Sequence, residues 1–141
     1  MGSQLESVRD WFRYYGCLCE EVEEGRTAPV DNKDRGMFNY IQKEPYGVVG
    51  GITPWNSPLL LTSWKPAPAL AVGNIFVHKS SEETPVSALR FAKVIHEHTE
   101  LPDSVYNLVP GKGETGAVLV DHTDADKLCS QGQRPPTVRL R

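Results

Sequence analysis

The residue of this chain best suited to chemistry is an asparagine in the segment Ile52-Thr53-Pro54-Trp55-Asn56-Ser57-Pro58. Two prolines and a tryptophan around Asn56 make a stiff turn where a predicted strand becomes a predicted helix. A backbone held that firmly can aim the Asn56 amide N–H at an oxyanion while charge develops on it. Asparagine is also a good helix N-cap, so capping of the following helix is the competing reading, and local chemistry leaves both open. A second pattern, Gly111-Lys112-Gly113-Glu114-Thr115-Gly116, is a literal G-x-G-x-x-G between a predicted strand and a predicted helix. Glycines there let backbone N–H groups approach a pyrophosphate, which a helix N-terminus attracts. The acidic ribose partner expected about 20 residues later would fall near Pro135-Pro136, where no suitable side chain stands. Taken alone, that motif carries little.

Other reactive residue types form no constellation. Cys17 and Cys19 have the wrong spacing for a zinc ribbon, and three cysteines make no disulfide framework. His78, His96, His98 and His122 show no metal-ligand spacing, so no metal is expected and no role is given to them. Lys65, on a predicted helix, reads by itself as a solvated side chain. Lys79 and Glu82 read by themselves as a surface ion pair of small consequence.

At 141 residues the chain suits one domain with a real core, and 39% hydrophobic residues with a net charge of -3 mark an ordinary soluble protein. That balance argues against nucleic acid or an anionic membrane as partner, since both call for a clustered basic surface. Arg134, Arg139 and Arg141 are the only basic bias. No apolar signal region follows Met1, and Lys65, Pro66 and Pro68 interrupt the apolar stretch from Leu59 to Val72. A cytoplasmic protein without a membrane span is therefore the expectation.

The elements that must position these residues follow from periodicity. Leu5, Val8, Phe12, Tyr15 and Cys19 recur at helical spacing, predicting an amphipathic helix over 1–25 that frays at its acidic end. A hairpin is expected over 26–46. Val48, Val49 and Ile52 read as a buried strand, with a helix from the Asn56 turn to about Ala71. Ile75–Val77 reads as a second strand. Thr84-Pro85 resembles an N-cap followed by proline at the first helical position, and Ala88, Phe91, Ala92 and Ile95 form that helix's stripe. Val105–Val109, a short helix over Thr115–Asp121 and a strand over Asp126–Cys129 complete the pattern. Alternation of strand and helix over 47–128 predicts an α/β fold with parallel strands and crossover helices. Residues 129–141 form a divergent tail.

Several of these segments together resemble the aldehyde dehydrogenase superfamily. Residues 50–59 resemble its I-T-P-W-N-F-P-L segment. Trp64-Lys65 with Ala67-Pro68-Ala69-Leu70 and Gly73-Asn74 fits W-K-x-A-P-A-L-x-x-G-N. Lys79-Ser80-Ser81-Glu82 with Thr84-Pro85 fits K-P-S-E-x-T-P, and Asn107-Leu108-Val109-Pro110-Gly111 with Gly116 fits the family's N-x-V-P-G turn. Arg13-Tyr14-Tyr15-Gly16 and Pro29-Val30 also look like it. The match runs in order over about residues 5–128 and is far stronger than any one motif.

The resemblance implies a partial Rossmann-like sheet and NAD(P)-dependent oxidation of an aldehyde to a carboxylate through a cysteine thioester. It implies that Asn56 donates to the thiohemiacetal oxyanion and that Lys65 takes part in proton relay. Lys79 and Glu82 would grip the adenosine ribose hydroxyls, the carboxylate accepting and the ammonium donating. Ile52, Thr53, Pro54, Trp55, Ser81, Gly111 and Thr115 would also lie around the cofactor, with Gly111 beside adenine and not at the pyrophosphate. A carboxylate near the 2′-hydroxyl repels a 2′-phosphate, which favours NAD over NADP. The hairpin would belong to the family's oligomerisation element, implying a homo-oligomer.

The chain departs from the family in four places. Ser57 stands where an aromatic is usual, and Ser80 replaces a proline. Pro66 directly after Lys65 disfavours helical backbone at the lysine, so Lys65 is expected at a helix break. Beyond Leu128 the family's F-T-G-S is missing, and the nucleophilic cysteine and general-base glutamate are expected to lie past Arg141. The expectation is an internal piece of such an enzyme, inactive alone. A non-catalytic module that binds NAD weakly or pairs with complete subunits is the alternative, beside a truncated gene product without function.

Overall fold

The computed structural model describes residues 2–23 and 43–131. The chain forms α1 (Gly2–Glu23), β1 (Val48–Ile52), α2 (Pro58–Trp64), α3 (Pro66–Ala71), β2 (Ile75–Lys79), α4 (Pro85–His98), β3 (Tyr106–Leu108), α5 (Gly113–Asp121) and β4 (Lys127–Ser130). Most of the expected hairpin, and the tail beyond Gln131, lie outside the described residues.

All four strands are parallel, in the order β3-β2-β1-β4. The chain moves outward from β1 to β2 through α2 and α3, then to β3 through α4. After α5 it returns to the other side of β1. Parallel neighbours need such crossovers, so helices must cover the sheet. The α/β expectation is met.

Register decides what each face carries. Val49 pairs with Phe76 and Gly51 with His78, and Phe76 pairs with Tyr106. Alternation along strands puts Val49, Gly51, Phe76 and His78 on one face. Val49, Phe76 and Ala69 of α3 form its core, with Leu70 and Tyr106 packed against them. Phe91 of α4 meets Tyr106 edge-on at 5.7 Å. Gly51 has no side chain because the Phe76 ring fills the place a Cβ would take. On the other face Leu119 of α5 and Leu128 of β4 close over Gly50, and Ile52 approaches Gly116.

Helix α1 lies across this assembly through aromatic contacts, Trp11 to Trp64 at 5.7 Å and Phe12 to Phe91 at 5.9 Å. Of its predicted stripe, Val8, Phe12, Tyr15 and Cys19 are half-buried and Leu5 is exposed.

The N-terminal edge of the sheet is fastened by polar side chains. Asn74 donates to the carbonyl of Ala69 and accepts from Gly47 N–H, while Ile75 N–H donates to Gly47 O. The Asp126 carboxylate accepts from Val48 N–H at 2.8 Å, and Asp126 N–H donates back to Val48 O. Gly47 has φ +111°, a backbone state open to glycine at little cost.

Several predicted elements differ in detail, β2 running on to Lys79 and β3 covering only Tyr106–Leu108. The helix expected to run to Ala71 is two helices, because Pro66 has no N–H to donate to the preceding turn. Helix α5 begins at Gly113 instead of Thr115. Strand β4 forms at Lys127–Ser130, so Cys129 and Ser130 lie in the sheet, paired with Gly51 and Ile52.

A candidate dinucleotide site at the C-terminal edge of the sheet

In a parallel sheet wound outward both ways from one strand, ligands bind beyond the carboxyl ends where the winding direction reverses. Here that point lies between β1 and β4, so the segments after Ile52, Lys79, Leu108 and Ser130 form the relevant edge.

The β1 segment is anchored before it turns. Thr53 is buried, its N–H donates to Lys79 O at 3.1 Å, and its Oγ1 lies 2.8 Å from His78 Nε2. Pro54 is half-buried, while Trp55 (64% exposed) and Asn56 reach solvent. Ser57 takes left-handed backbone, φ 45° and ψ 51°, and Pro58 opens α2. The N-cap position is therefore Ser57, which corrects the capping reading of Asn56. Proline is suited to the first helical position, and that moves the cap to the residue before it. Neither Ser57 nor Thr84, the N-cap of α4, makes a side-chain capping bond.

Lys65 sits at the junction of α2 and α3, as the proline after it predicted. Its backbone is nonetheless helical, φ -96° and ψ -47°, against the preference of a residue preceding proline. It is half-buried, and its charge reaches His78, so it is not the solvated surface lysine that composition alone favours.

After β2, the Lys79 ammonium lies 3.2 Å from Glu82 Oε2. The lysine side chain is 7% exposed and the glutamate 44%, which corrects the reading of a plain surface pair. The Glu82 carboxyl is held below its ordinary range, first by its own backbone N–H, then by hydrogen bonding and attraction to Lys79, with a smaller pull from Lys112. Ser81 is buried, and its Oγ accepts from Glu83 N–H, which shapes this turn. Ile52 and Lys79 are register partners, so the two segments leave the sheet side by side.

The glycine motif follows β3, the edge strand, two strands away from the reversal point. That position speaks against a pyrophosphate cradle at Gly111, because the dinucleotide fingerprint belongs to the turn after the central strand. Gly111 is instead closed upon by Thr115, whose side chain occupies the place of a Cβ. The influence of Lys112 on Glu82 ties this turn to the Lys79–Glu82 pair.

Sequence reasoning gave His78 no role. It is fully buried, with Nε2 at Thr53 Oγ1 and Nδ1 2.8 Å from the Tyr106 hydroxyl. Burial, then the Lys65 charge, lowers its pKa to about 4, and burial raises that of Tyr106. The signal was present in Ile75-Phe76-Val77-His78-Lys79, where alternation puts His78 on the same face as Phe76. Among the described residues no group of acidic, histidine or cysteine side chains could hold a metal ion, and no helix is long and apolar enough to cross a membrane.

The fold is an α/β sheet of the Rossmann-like kind. The chain belongs to the aldehyde dehydrogenase family, whose pattern it matches over residues 1–137. It is 44% identical over 129 residues to the mitochondrial aldehyde dehydrogenase of Sus scrofa, covering 91% of this chain and 24% of that protein. It is 48% identical over 121 residues to aldehyde dehydrogenase 1A1 of Equus caballus, covering 85% and 23%. Among solved structures, the NAD+ complex of an aldehyde dehydrogenase from Bacillus cereus superposes with a TM-score of 0.85 at 39% identity, over 94% of this chain and 26% of that one. PnpE in complex with nicotinamide adenine dinucleotide gives 0.82 at 43%, over 90% and 25%. The chain thus spans about a quarter of the length of the relatives it matches.

Proposed function

We propose that this chain supplies the adenosine-binding edge and oxyanion-side turn of an NAD-dependent aldehyde dehydrogenase. One observation carries the reading: a nearly buried ammonium bonded to a half-exposed carboxylate, Lys79 to Glu82, stands beside the Thr53–Asn56 turn. That donor set fits a ribose diol, since a carboxylate can accept from both hydroxyls while the ammonium donates to one. Gly113, at the mouth of α5, leaves open space around its backbone, and Ile52, Thr53, Pro54 and Trp55 would border the same ligand.

When bound, the dinucleotide supplies the hydride acceptor. The chain's own residues bind and orient. Glu82 stays ionised well below neutral pH and so opposes a 2′-phosphate, which favours NAD over NADP. Asn56 presents its amide to a developing oxyanion, and Lys65 handles a proton at the α2–α3 junction. The three cysteines are free and lie in α1 and β4, away from the Thr53–Asn56 turn in sequence, and the thioester chemistry is assigned to the family's greater length.

Calorimetric titration of the purified chain with NAD and with NADP tests this. Binding of NAD, weaker binding of NADP and no NADH on adding an aldehyde are the expected results. Equal affinity for both would overturn the NAD preference. Absence of binding to either would overturn the site.

A further inference from the structure

His78 lies at the level where three strands reach the edge of the sheet. Its two ring nitrogens contact hydroxyls from both neighbouring strands, Thr53 just past the end of β1 and Tyr106 on β3, each at 2.8 Å. The backbone agrees at the same level: Thr53 N–H donates to Lys79 O, and Val109 N–H donates to His78 O. Thr53 is therefore held twice, its side chain by the imidazole and its backbone N–H by the Lys79 carbonyl. Only Pro54, Trp55, Asn56 and Ser57 separate this anchor from α2, whose first turn is fixed by Leu61 N–H donating to Ser57 O. Proline restricts the first of those residues, and a left-handed conformation sets the last. A short segment pinned at both ends has few conformations left.

We propose that His78 is a positioning residue that locks Thr53 to the sheet and thereby fixes the turn carrying Asn56. It touches no ligand itself. The catalytic consequence rests on the oxyanion reading of Asn56, whereas the ordering of the turn does not. A neutral ring fits the site: it offers one donor and one acceptor to two hydroxyls, each of which can take either part. Among the described residues no negative charge acts on it. Tyr106 faces it from β3, Ala69 and Leu70 of α3 and Phe91 of α4 enclose this layer as apolar groups, and the charge that reaches it is the Lys65 ammonium. Protonating His78 would place a second positive charge there and loosen the anchor.

Backbone 15N relaxation on the ligand-free 141-residue chain tests this. Order parameters at Trp55, Asn56 and Ser57 are expected near the rigid value of about 0.85 in the native sequence, and to fall below about 0.6 in His78→Val and Thr53→Val. Val49 and Ala88, both buried, should keep theirs. Tyr106→Phe, which spares the Thr53–His78 bond, should cause the smaller fall. Acidification toward pH 4 should loosen the turn in the native sequence and change nothing further in His78→Val. Should His78→Val fail to fold, Thr53→Val alone decides, because it removes one bond at nearly constant shape. Unchanged order at residues 55–57, or a loss spread evenly through the sheet, overturns the proposal. Failure to bind NAD would overturn the proposed function and leave this test intact, since no ligand enters it.

Discussion

Lys79 Nζ lies 3.2 Å from Glu82 Oε2, with the ammonium almost enclosed and the carboxylate half open to solvent. An enclosed cation bound to an accessible anion presents a polarised pair to an incoming diol, with the carboxylate free to accept. Glu82→Gln keeps the shape and removes the charge. NAD affinity is expected to fall about tenfold, as for loss of a hydrogen bond to a charged group. NADP should lose less, because repulsion of its 2′-phosphate goes with the same charge. Calorimetry with both dinucleotides checks this, and parallel losses would contradict it. The carboxyl is held below its usual range by its own backbone N–H and by Lys79, so NAD binding should persist as pH falls through the ordinary glutamate range.

Asn56 gives a prediction that separates its two readings. A helix N-cap replaced by alanine costs about 1 kcal/mol. Because Ser57 occupies the cap position and Asn56 is exposed, Asn56→Ala should change stability by less than about 0.5 kcal/mol. Urea unfolding measures it. A loss near the capping value would return Asn56 to a structural role.

The reading of these residues from sequence was good where the information is local. Val48 and Val49 beside paired glycines marked β1, and Pro66 marked the break between α2 and α3. The cap was misplaced: Asn56 was weighed for it, although Pro58 at the first helical position puts it at Ser57. The partnership of His78 with Tyr106 was not legible. It depends on β2 pairing with β3 in one register across 28 residues of sequence, and nothing in either segment encodes that register. The burial of Lys79 was hidden for the same reason, because a lysine at a strand end reads as solvated until its neighbours are known.

Two glycines should respond oppositely to alanine. At Gly51 a Cβ would enter the ring of Phe76, which is wholly buried and cannot swing into solvent. Overpacking of this kind costs about 1–3 kcal/mol. At Gly116 the nearest atom to an added Cβ is Ile52 Cδ1 at 3.7 Å, an ordinary contact. Gly116→Ala should therefore stabilise α5 by roughly 0.5–1 kcal/mol through the unfolded chain's lost freedom. Urea midpoints of the two variants should move in opposite directions. Phe76→Leu should recover part of the Gly51→Ala loss if the ring is the obstacle.

The depressed pKa of His78 makes stability depend on pH with a definite sign. The folded ring titrates near pH 4 and the unfolded one near 6.5. Between those values the unfolded state binds the proton and the folded state does not, so stability rises with pH. The contribution is complete above about pH 6.5 and is lost as pH falls toward 4. A gap of about 2.5 units at 1.36 kcal/mol each amounts to about 3 kcal/mol. Carboxylates add their own acid dependence, so the measurement is a difference between native sequence and His78→Val, each unfolded in urea at several pH values. The native chain should lose about 3 kcal/mol more than the variant across that interval. Equal slopes would mean that His78 takes up its proton as readily folded as unfolded, so that neither its burial nor the Lys65 charge opposes protonation.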